Sequence, residues 1–272
     1  MKTFIIVSAL LAIVSASVTR SPITRFKDLL PESRIVGGDL ASPGQFPYQI
    51  ALKISFPQGE SFCGGSIIDA QWILTAAHCV YGSFKTEVIA GSLNMDSLDA
   101  SAQTRNGIQI INHPGFHPVM LKNDIALIQL DSPLELNHYV WPIGIAGRSE
   151  INNTYDRQIV VASGYGKTSD YSDSPNDLRY VDMYVENLEA CKKYYSAGVV
   201  TEGNVCVNTE YGTKTACQGD SGGPLVLHSS GRLIGCTSFG SQNGCQSGAP
   251  GVFTRVAYFY DWIQYNTGLV LN

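Results

Sequence analysis

Ser221 sits in the run Gly219-Asp220-Ser221-Gly222-Gly223-Pro224, preceded by Cys217-Gln218, with no bulk on either side of its hydroxyl. A nucleophilic serine needs an exposed Oγ and, beside it, backbone N–H groups free to meet a developing oxyanion, and glycines permit that approach. On its own a Gly-Asp-Ser-Gly run reads as an ordinary turn. A serine is a poor nucleophile without a base, so the reading requires one elsewhere in the chain. Of the five histidines, His78 lies in Leu74-Thr75-Ala76-Ala77-His78-Cys79, where small residues could hold an imidazole in a packed wall. His113, His117, His138 and His228 lie in polar or turn-like contexts and read as solvated surface side chains. The base in turn needs an acceptor that fixes its tautomer, and Asp124 opens the apolar run Ile125-Ala126-Leu127-Ile128, where a carboxylate could be partly buried. Alone, Asp124 is a turn or strand-leading residue. Its candidacy rests on the combination, because His, then Asp, then Ser is one of several chain orders that build such a triad.

These residues must be positioned by short β-type elements. Runs bounded by Gly, Pro, Asn and Asp recur at Gln49 to Ile54, Gly65 to Asp69, Glu87 to Gly91, Gly107 to Asn112 and Asp124 to Leu130. The second half repeats the texture at Gln158 to Gly164, Leu178 to Val185, Pro224 to Leu227, Leu233 to Thr237 and Gly251 to Val256. Many short strands with turn punctuation predict an all-β barrel or sandwich. Leu188 to Tyr195 breaks the pattern, as does Tyr258 to Tyr265. In the latter, Tyr258, Trp262 and Tyr265 are spaced for one helical face, which predicts a short terminal helix with an aromatic core-facing stripe.

The 272 residues, 44% hydrophobic and 15% charged, suffice for a sizeable core, as one large domain or two small ones. Lys2, the apolar run Phe4 to Val14 and the small residues Ser15, Ala16 and Ser17 read as a secretory signal peptide, too short to span a bilayer. The expected division is therefore a signal peptide over 1–16, a polar pro-segment over 17–34 and the body over 35–272, exported from the cell. The whole chain carries a net charge of −5, but its first 34 residues hold five of the 18 basic and only two of the 23 acidic side chains. The remainder is more acidic still, near −8, with no general attraction for nucleic acid or anionic membrane. Seven cysteines in an exported chain point to disulfides rather than a thiol site, with one left over and the pairing not settled by counting. No Cys-x-x-Cys pair suggests structural zinc, and neither metal nor cofactor is expected.

Four blocks, Arg34-Ile35-Val36-Gly37-Gly38, Thr75-Ala76-Ala77-His78-Cys79, Asn123-Asp124-Ile125-Ala126-Leu127 and Gly219-Asp220-Ser221-Gly222-Gly223-Pro224, resemble the hallmark motifs of chymotrypsin-like serine proteases. The likeness runs from Ile35 to near the C-terminus and in tone is similar to arthropod digestive chymotrypsins and serine collagenases. It implies two packed six-stranded antiparallel β-barrels, a short C-terminal helix, and a cleft holding the triad His78, Asp124 and Ser221. The backbone N–H groups of Gly219 and Ser221 would form the oxyanion hole. Cleavage after Arg34 would free an α-ammonium on Ile35 to pair with Asp220 and order that loop. The implied disulfides are Cys63 with Cys79, Cys191 with Cys206 and Cys217 with Cys245, leaving Cys236 as a buried thiol.

By motif position Thr215 lies at the base of the substrate pocket, with Gly240 and Gly251 on its walls and Ser238-Phe239-Gly240 beside the substrate. Neither Tyr211 to Gly219 nor Gly235 to Val256 contains an acid, so a bound Arg or Lys would lack a counter-charge. The open slot favours Phe, Tyr, Leu or Met. Such an enzyme would cut slowly after Arg34, which implies a separate trypsin-like activator alongside protein or peptide substrates and protein inhibitors, with a monomer as the working state. Phe239 stands where the family usually carries Trp. Ser92 and Ala102 fall where relatives place calcium-binding acids, so no calcium requirement is expected despite Asp96 and Asp99. Asn152-Asn153-Thr154 is a glycosylation sequon. The rivals are a non-catalytic binding homologue, which should show a damaged triad; a broad collagenolytic or elastase-like peptidase; and an esterase, which would place its histidine last.

Overall fold

The computed structural model describes residues 35–172 and 176–270. The expected signal peptide and pro-segment, with Arg34, lie outside the described residues. Thirteen strands follow in order: β1 Asp39–Leu40, β2 Gln49–Phe56, β3 Gly59–Asp69, β4 Trp72–Thr75, β5 Lys85–Ala90, β6 Gln103–Asn112, β7 Ala126–Leu130, β8 Ile159–Gly164, β9 Arg179–Glu186, β10 Asn204–Asn208, β11 Pro224–Leu227, β12 Arg232–Phe239 and β13 Gly251–Arg255. The helices are α1 Ala77–Val80, α2 Leu188–Lys192 and α3 Tyr260–Thr267.

Strands β2-β3-β4-β7-β6-β5 close into one antiparallel barrel. The order β9-β10-β13-β12-β11-β8 closes through β8–β9 pairing into a second, with β1 added outside β9. Closure removes the unpaired edges that an open sheet of this length would expose. β9 shows the cause in sequence: Arg179, Val181, Met183 and Val185 point inward while Asp182 and Tyr184 stay out, the period-2 alternation of a half-buried strand. β4 and β7 instead read as nearly continuous apolar runs, buried on both faces.

Trp72–Thr75 and Asn204–Asn208 form strands that the sequence pattern does not single out; each is short, and β4 follows β3 after a two-residue turn whose Asp69 carboxylate accepts from Gln71 N at 3.0 Å. The terminal helix forms as expected, but only part of its aromatic stripe faces the core. Tyr265 is 88% exposed and Tyr258 is 48% exposed, while Phe259 and Ile263 carry the buried contact. Trp262 is partly buried against the core and packs on His113, with ring centroids 5.2 Å apart. His113 is accordingly not a solvated side chain. It lies edge-on to Phe259 at 5.1 Å, accepts from Gly115 N at 3.1 Å through Nδ1, and burial lowers its pKa. Among the described residues no helix is long and apolar enough to cross a membrane.

Leu74 is wholly buried in β4, between β3 and β7 and one turn of chain from His78. Truncation to alanine leaves a cavity the rigid barrel can fill only in part, so Leu74→Ala is expected to lower unfolding stability by about 2–5 kcal/mol. A urea titration with disulfides intact checks this.

Candidate active site

Asp124 is buried and His78 is a quarter exposed, so a charged acceptor sits beneath a solvent-reached imidazole. The carboxylate takes His78 N at 2.8 Å on Oδ1 and His78 Nδ1 at 2.7 Å on Oδ2. An ionised carboxylate can only accept, so the imidazole donates through Nδ1, and in its neutral form the lone pair is on Nε2. A third donor, Ser238 Oγ at 2.5 Å, comes from β12 of the other barrel. Thr254 Oγ1 on β13 donates to the Asp124 carbonyl at 2.7 Å. These contacts span more than a hundred residues, and no spacing in the sequence signals them. The sequence places Ser238 beside the substrate; in the structure its hydroxyl faces Asp124, although the residue also lines the pocket. Asn123 adopts a positive φ of 51°, a conformation asparagine tolerates, and its Nδ2 donates to Gly115 O at 2.8 Å, which fixes the turn that delivers Asp124.

Ser221 is brought to the same place by backbone pairing. Gly64 N donates to Ser221 O at 2.7 Å, and Thr75 Oγ1 donates to Gly64 O at 2.8 Å, two residues before α1 begins. Gly222 lies so close to this segment that a Cβ there would stand 2.2 Å from Thr75 Oγ1, which excludes any side chain. Among the described residues Ser221 Oγ makes no hydrogen bond to His78 Nε2. Such contacts are often long in a free enzyme and tighten with substrate. Gly219 has φ 99°, and a Cβ there would meet Gly166 Cα at 2.9 Å. That turn leaves Gly219 N and Ser221 N without protein acceptors among the described residues, so both can donate to a bound oxygen.

Asp220 turns the opposite way, into the protein. Its carboxylate accepts from Gly166 N and Cys217 N, each at 2.8 Å, in a space walled by Gly164 and Gly166. Burial pushes its pKa up to about 7, and the two backbone donors only partly oppose that. The side chain of Ile35 is fully buried in the second barrel, and Thr215 N donates to Val36 O at 3.1 Å.

The expected pocket residues surround one cavity of about 140 Å³, whose lining includes Thr215, Gln218, Ser221, Ser238, Phe239 and Gly251, and none of its lining residues is charged. Thr215 Oγ1 is satisfied by Ala216 O at 3.0 Å. The space beside Gly240 is open. Phe239 meets Tyr195 edge-on at 5.4 Å, so the aromatic contact beside the pocket persists without Trp. The structure joins Cys63 to Cys79, Cys191 to Cys206 and Cys217 to Cys245, and leaves Cys236 buried with its thiol toward Gly222 O at 3.4 Å. Burial, and then the charge of Asp124, push that thiol's pKa up. In the loop compared above with calcium-binding relatives, Asp99 accepts Leu93 N at 2.6 Å and Ser92 Oγ at 3.4 Å, so its carboxylate organises the loop's own backbone.

The Trypsin family model matches residues 35–263, and the chain belongs to that family. It is a serine endopeptidase with the trypsin-like fold. It is 38% identical to a collagenase of Hypoderma lineatum over 98% of this chain and 99% of that one, and 39% identical to brachyurin of Leptuca pugilator over 86% and 99%. The solved structure of HL collagenase superposes with a TM-score of 0.80 at 38% identity, covering 86% of this chain and 99% of its own.

The buried Asp220 makes the uncleaved chain pH-sensitive. In the unfolded chain the group loses its proton near 3.8, whereas in the folded chain it retains it to about 7. Between those values the folded state binds more protons, so stability is favoured below the unfolded value and declines as pH rises through 7. An uncleaved Ser221→Ala protein should be about 2–3 kcal/mol less stable at pH 8 than at pH 5 through this group. Adding Asp220→Asn should flatten that difference in urea titrations at the two pH values.

Proposed function

We propose that the chain is a secreted zymogen which, once cut after Arg34, hydrolyses peptide bonds after large apolar or aromatic residues through an acyl-enzyme. The observation that carries this reading is the Asp124-His78 pair, joined through the Ser238 hydroxyl to the uncharged pocket that Ser221 also lines. In the mechanism, His78 Nε2 takes the Ser221 proton as Oγ attacks the scissile carbonyl. Asp124 holds the imidazole in the Nδ1–H tautomer and stabilises the imidazolium that forms. The tetrahedral oxyanion is met by Gly219 N and Ser221 N, and His78 returns the proton to the leaving amine. Water repeats the sequence on the acyl-enzyme.

Activation follows from electrostatics. Among the described residues no cation contributes to the raised pKa of Asp220, so the uncleaved chain buries a carboxyl without counter-charge. Cleavage before Ile35 supplies an ammonium, and a paired buried charge is tolerable where an unpaired one is costly. The division into residues 1–16, 17–34 and 35–272 belongs to the same proposal. It is supported by the likeness to the Hypoderma collagenase, which extends into the residues before Ile35. An enzyme with a neutral pocket is a poor catalyst of its own release after Arg34, so a trypsin-like activator is required.

Specificity rests on chemistry at the pocket. Burying Lys or Arg there would leave a cation with only the Thr215 hydroxyl and backbone carbonyls for company, costing several kcal/mol against an apolar side chain. The name of the Hypoderma relative, collagenase, also favours a second reading, cleavage of collagen. Collagen digestion by the activated enzyme, compared with peptide hydrolysis, tests it.

The decisive experiment activates the secreted precursor with trypsin, removes the trypsin, and compares peptides bearing Phe, Leu, Ala or Arg before the scissile bond. Selective hydrolysis after Phe or Leu is expected, reduced on the order of 10⁴-fold or more in Ser221→Ala. Cleavage mainly after Arg would overturn the pocket reading, and no hydrolysis from a chain beginning at Ile35 would favour a binding homologue. A precursor carrying Arg34→Gln should stay inactive under the same treatment; full activity without cleavage would overturn the zymogen model.

A further inference from the structure

The segment 166–172 touches the substrate site at three places. Gly166 N donates to Asp220 Oδ1 at 2.8 Å, and Lys167 N donates to Gln218 O at 2.8 Å. Farther along, the Asp170 carboxylate accepts Cys245 N at 2.6 Å on Oδ1 and Gln246 N at 3.3 Å on Oδ2, while Asp170 N donates to Gln246 Oε1 at 3.2 Å. The turn that presents Asp170 is itself fixed, since Ser172 Oγ accepts from Thr168 N at 3.0 Å and from Ser169 N at 3.1 Å. Cys245 lines the pocket and is bridged to Cys217, which lines it from the nucleophile's side. The fit is close: a Cβ on Gly244, whose φ is 105°, would stand 2.5 Å from Asp170 Oδ2.

Two adjacent backbone N–H groups aimed at one side chain ask for two acceptors, and a carboxylate provides them where an amide provides one acceptor and a misplaced donor. Charge-assisted bonds of this kind are shorter and about twice as strong as neutral ones. The disulfide tethers Cys245 to Cys217 and Thr209 Oγ1 donates to Ala249 O at 3.2 Å at the far end of the segment. Asp170 holds the stretch between them, at the backbone of Cys245 and Gln246.

We propose that Asp170 is a positioning residue for the substrate pocket: by clamping Cys245 and Gln246 it sets the pocket's width and so the preference for a large apolar side chain. The inference rests on the pocket reading above, because it concerns the wall of that same cavity. Asp170 touches neither substrate nor the reacting atoms and acts through the wall alone.

The test compares trypsin-activated wild type, Asp170→Asn and Asp170→Ala on two peptides that differ only in Phe or Ala before the scissile bond, with amide hydrogen exchange over residues 241–248. A role in general stability would slow both peptides equally. A positioning role should lower the Phe-to-Ala ratio of kcat/KM on the order of tenfold in Asp170→Ala, carried by KM for the Phe peptide, because one or two charge-assisted bonds are lost. Asp170→Asn should fall between, and exchange over 241–248 should quicken in both variants. An unchanged ratio, or a parallel loss on both peptides, overturns the proposal. If the wild type itself does not prefer Phe to Ala, the pocket reading fails on its own account. Exchange then decides the clamp: quickening over 241–248 sustains it, and unaltered exchange overturns it.

Discussion

A buried carboxylate that must be satisfied is the constraint on which this structure turns. Asp124 has almost no contact with solvent, and an unpaired charge in that position would cost several kcal/mol. The donors to its carboxylate come from both barrels, His78 from the first and Ser238 from the second, while Thr254 of the second donates to the Asp124 backbone carbonyl. Satisfying one side chain therefore fixes how the barrels face each other across the cleft. Other cross-barrel contacts act in the same direction, with Ser163 Oγ on the buried Gln49 side chain at 2.7 Å and Gly64 N on Ser221 O. The polar groups that the proposed chemistry uses are thus the groups that hold the halves in register.

Asp220 is the complementary case, a buried carboxyl with backbone donors but no cation among the described groups. Asp124 is satisfied by the fold as it stands; Asp220 is left short. In the proposed activation this asymmetry separates an inert precursor from a working enzyme. In that proposal the loop Gly219 to Ser221 carries both the acid that would sense the cut and the amides that would meet the oxyanion. The Ile35 side chain is already seated in the second barrel, so what the proposed cleavage would add is charge rather than apolar burial.

Much of this was legible before any coordinates. The glycine-flanked serine, the histidine among small residues and the aspartate leading an apolar strand are local patterns, and local patterns survive in sequence. The alternation in β9 and the turn punctuation gave the all-β class. Two kinds of feature were hidden. Contacts such as Ser238 to Asp124 join residues 114 apart and have no periodic trace. Burial of the terminal helix depends on what lies beneath it: Tyr258, Trp262 and Tyr265 share a helical face in the sequence, yet His113 and Phe259 shift the seam so that Ile263 is the residue enclosed. His113 misleads for the same reason, since a polar neighbourhood in sequence says nothing about aromatic rings that arrive from the far end of the chain.

The pocket shows how little of specificity lies in the residues that line it. Thr215, Gly240 and Gly251 say what the cavity lacks: a charge at its base and bulk on its walls. They do not say how wide it is held. Width belongs to the segment 241–249, whose glycine, serine and glutamine residues bury little apolar surface to anchor them. A wall of that kind relies on restraints from outside: the Cys217–Cys245 bridge, Thr209 Oγ1 on Ala249 O, and the paired bonds from Asp170, a residue with no motif around it. Packing fixes His78, Asp124 and Ser221 because His78 lies on α1 while Asp124 and Ser221 lead directly into β7 and β11, which are rooted in the cores. The pocket wall has less such backing, so the Asp170 carboxylate carries a large share of its geometry, and substitutions outside the cavity can alter preference while the chemistry is left intact.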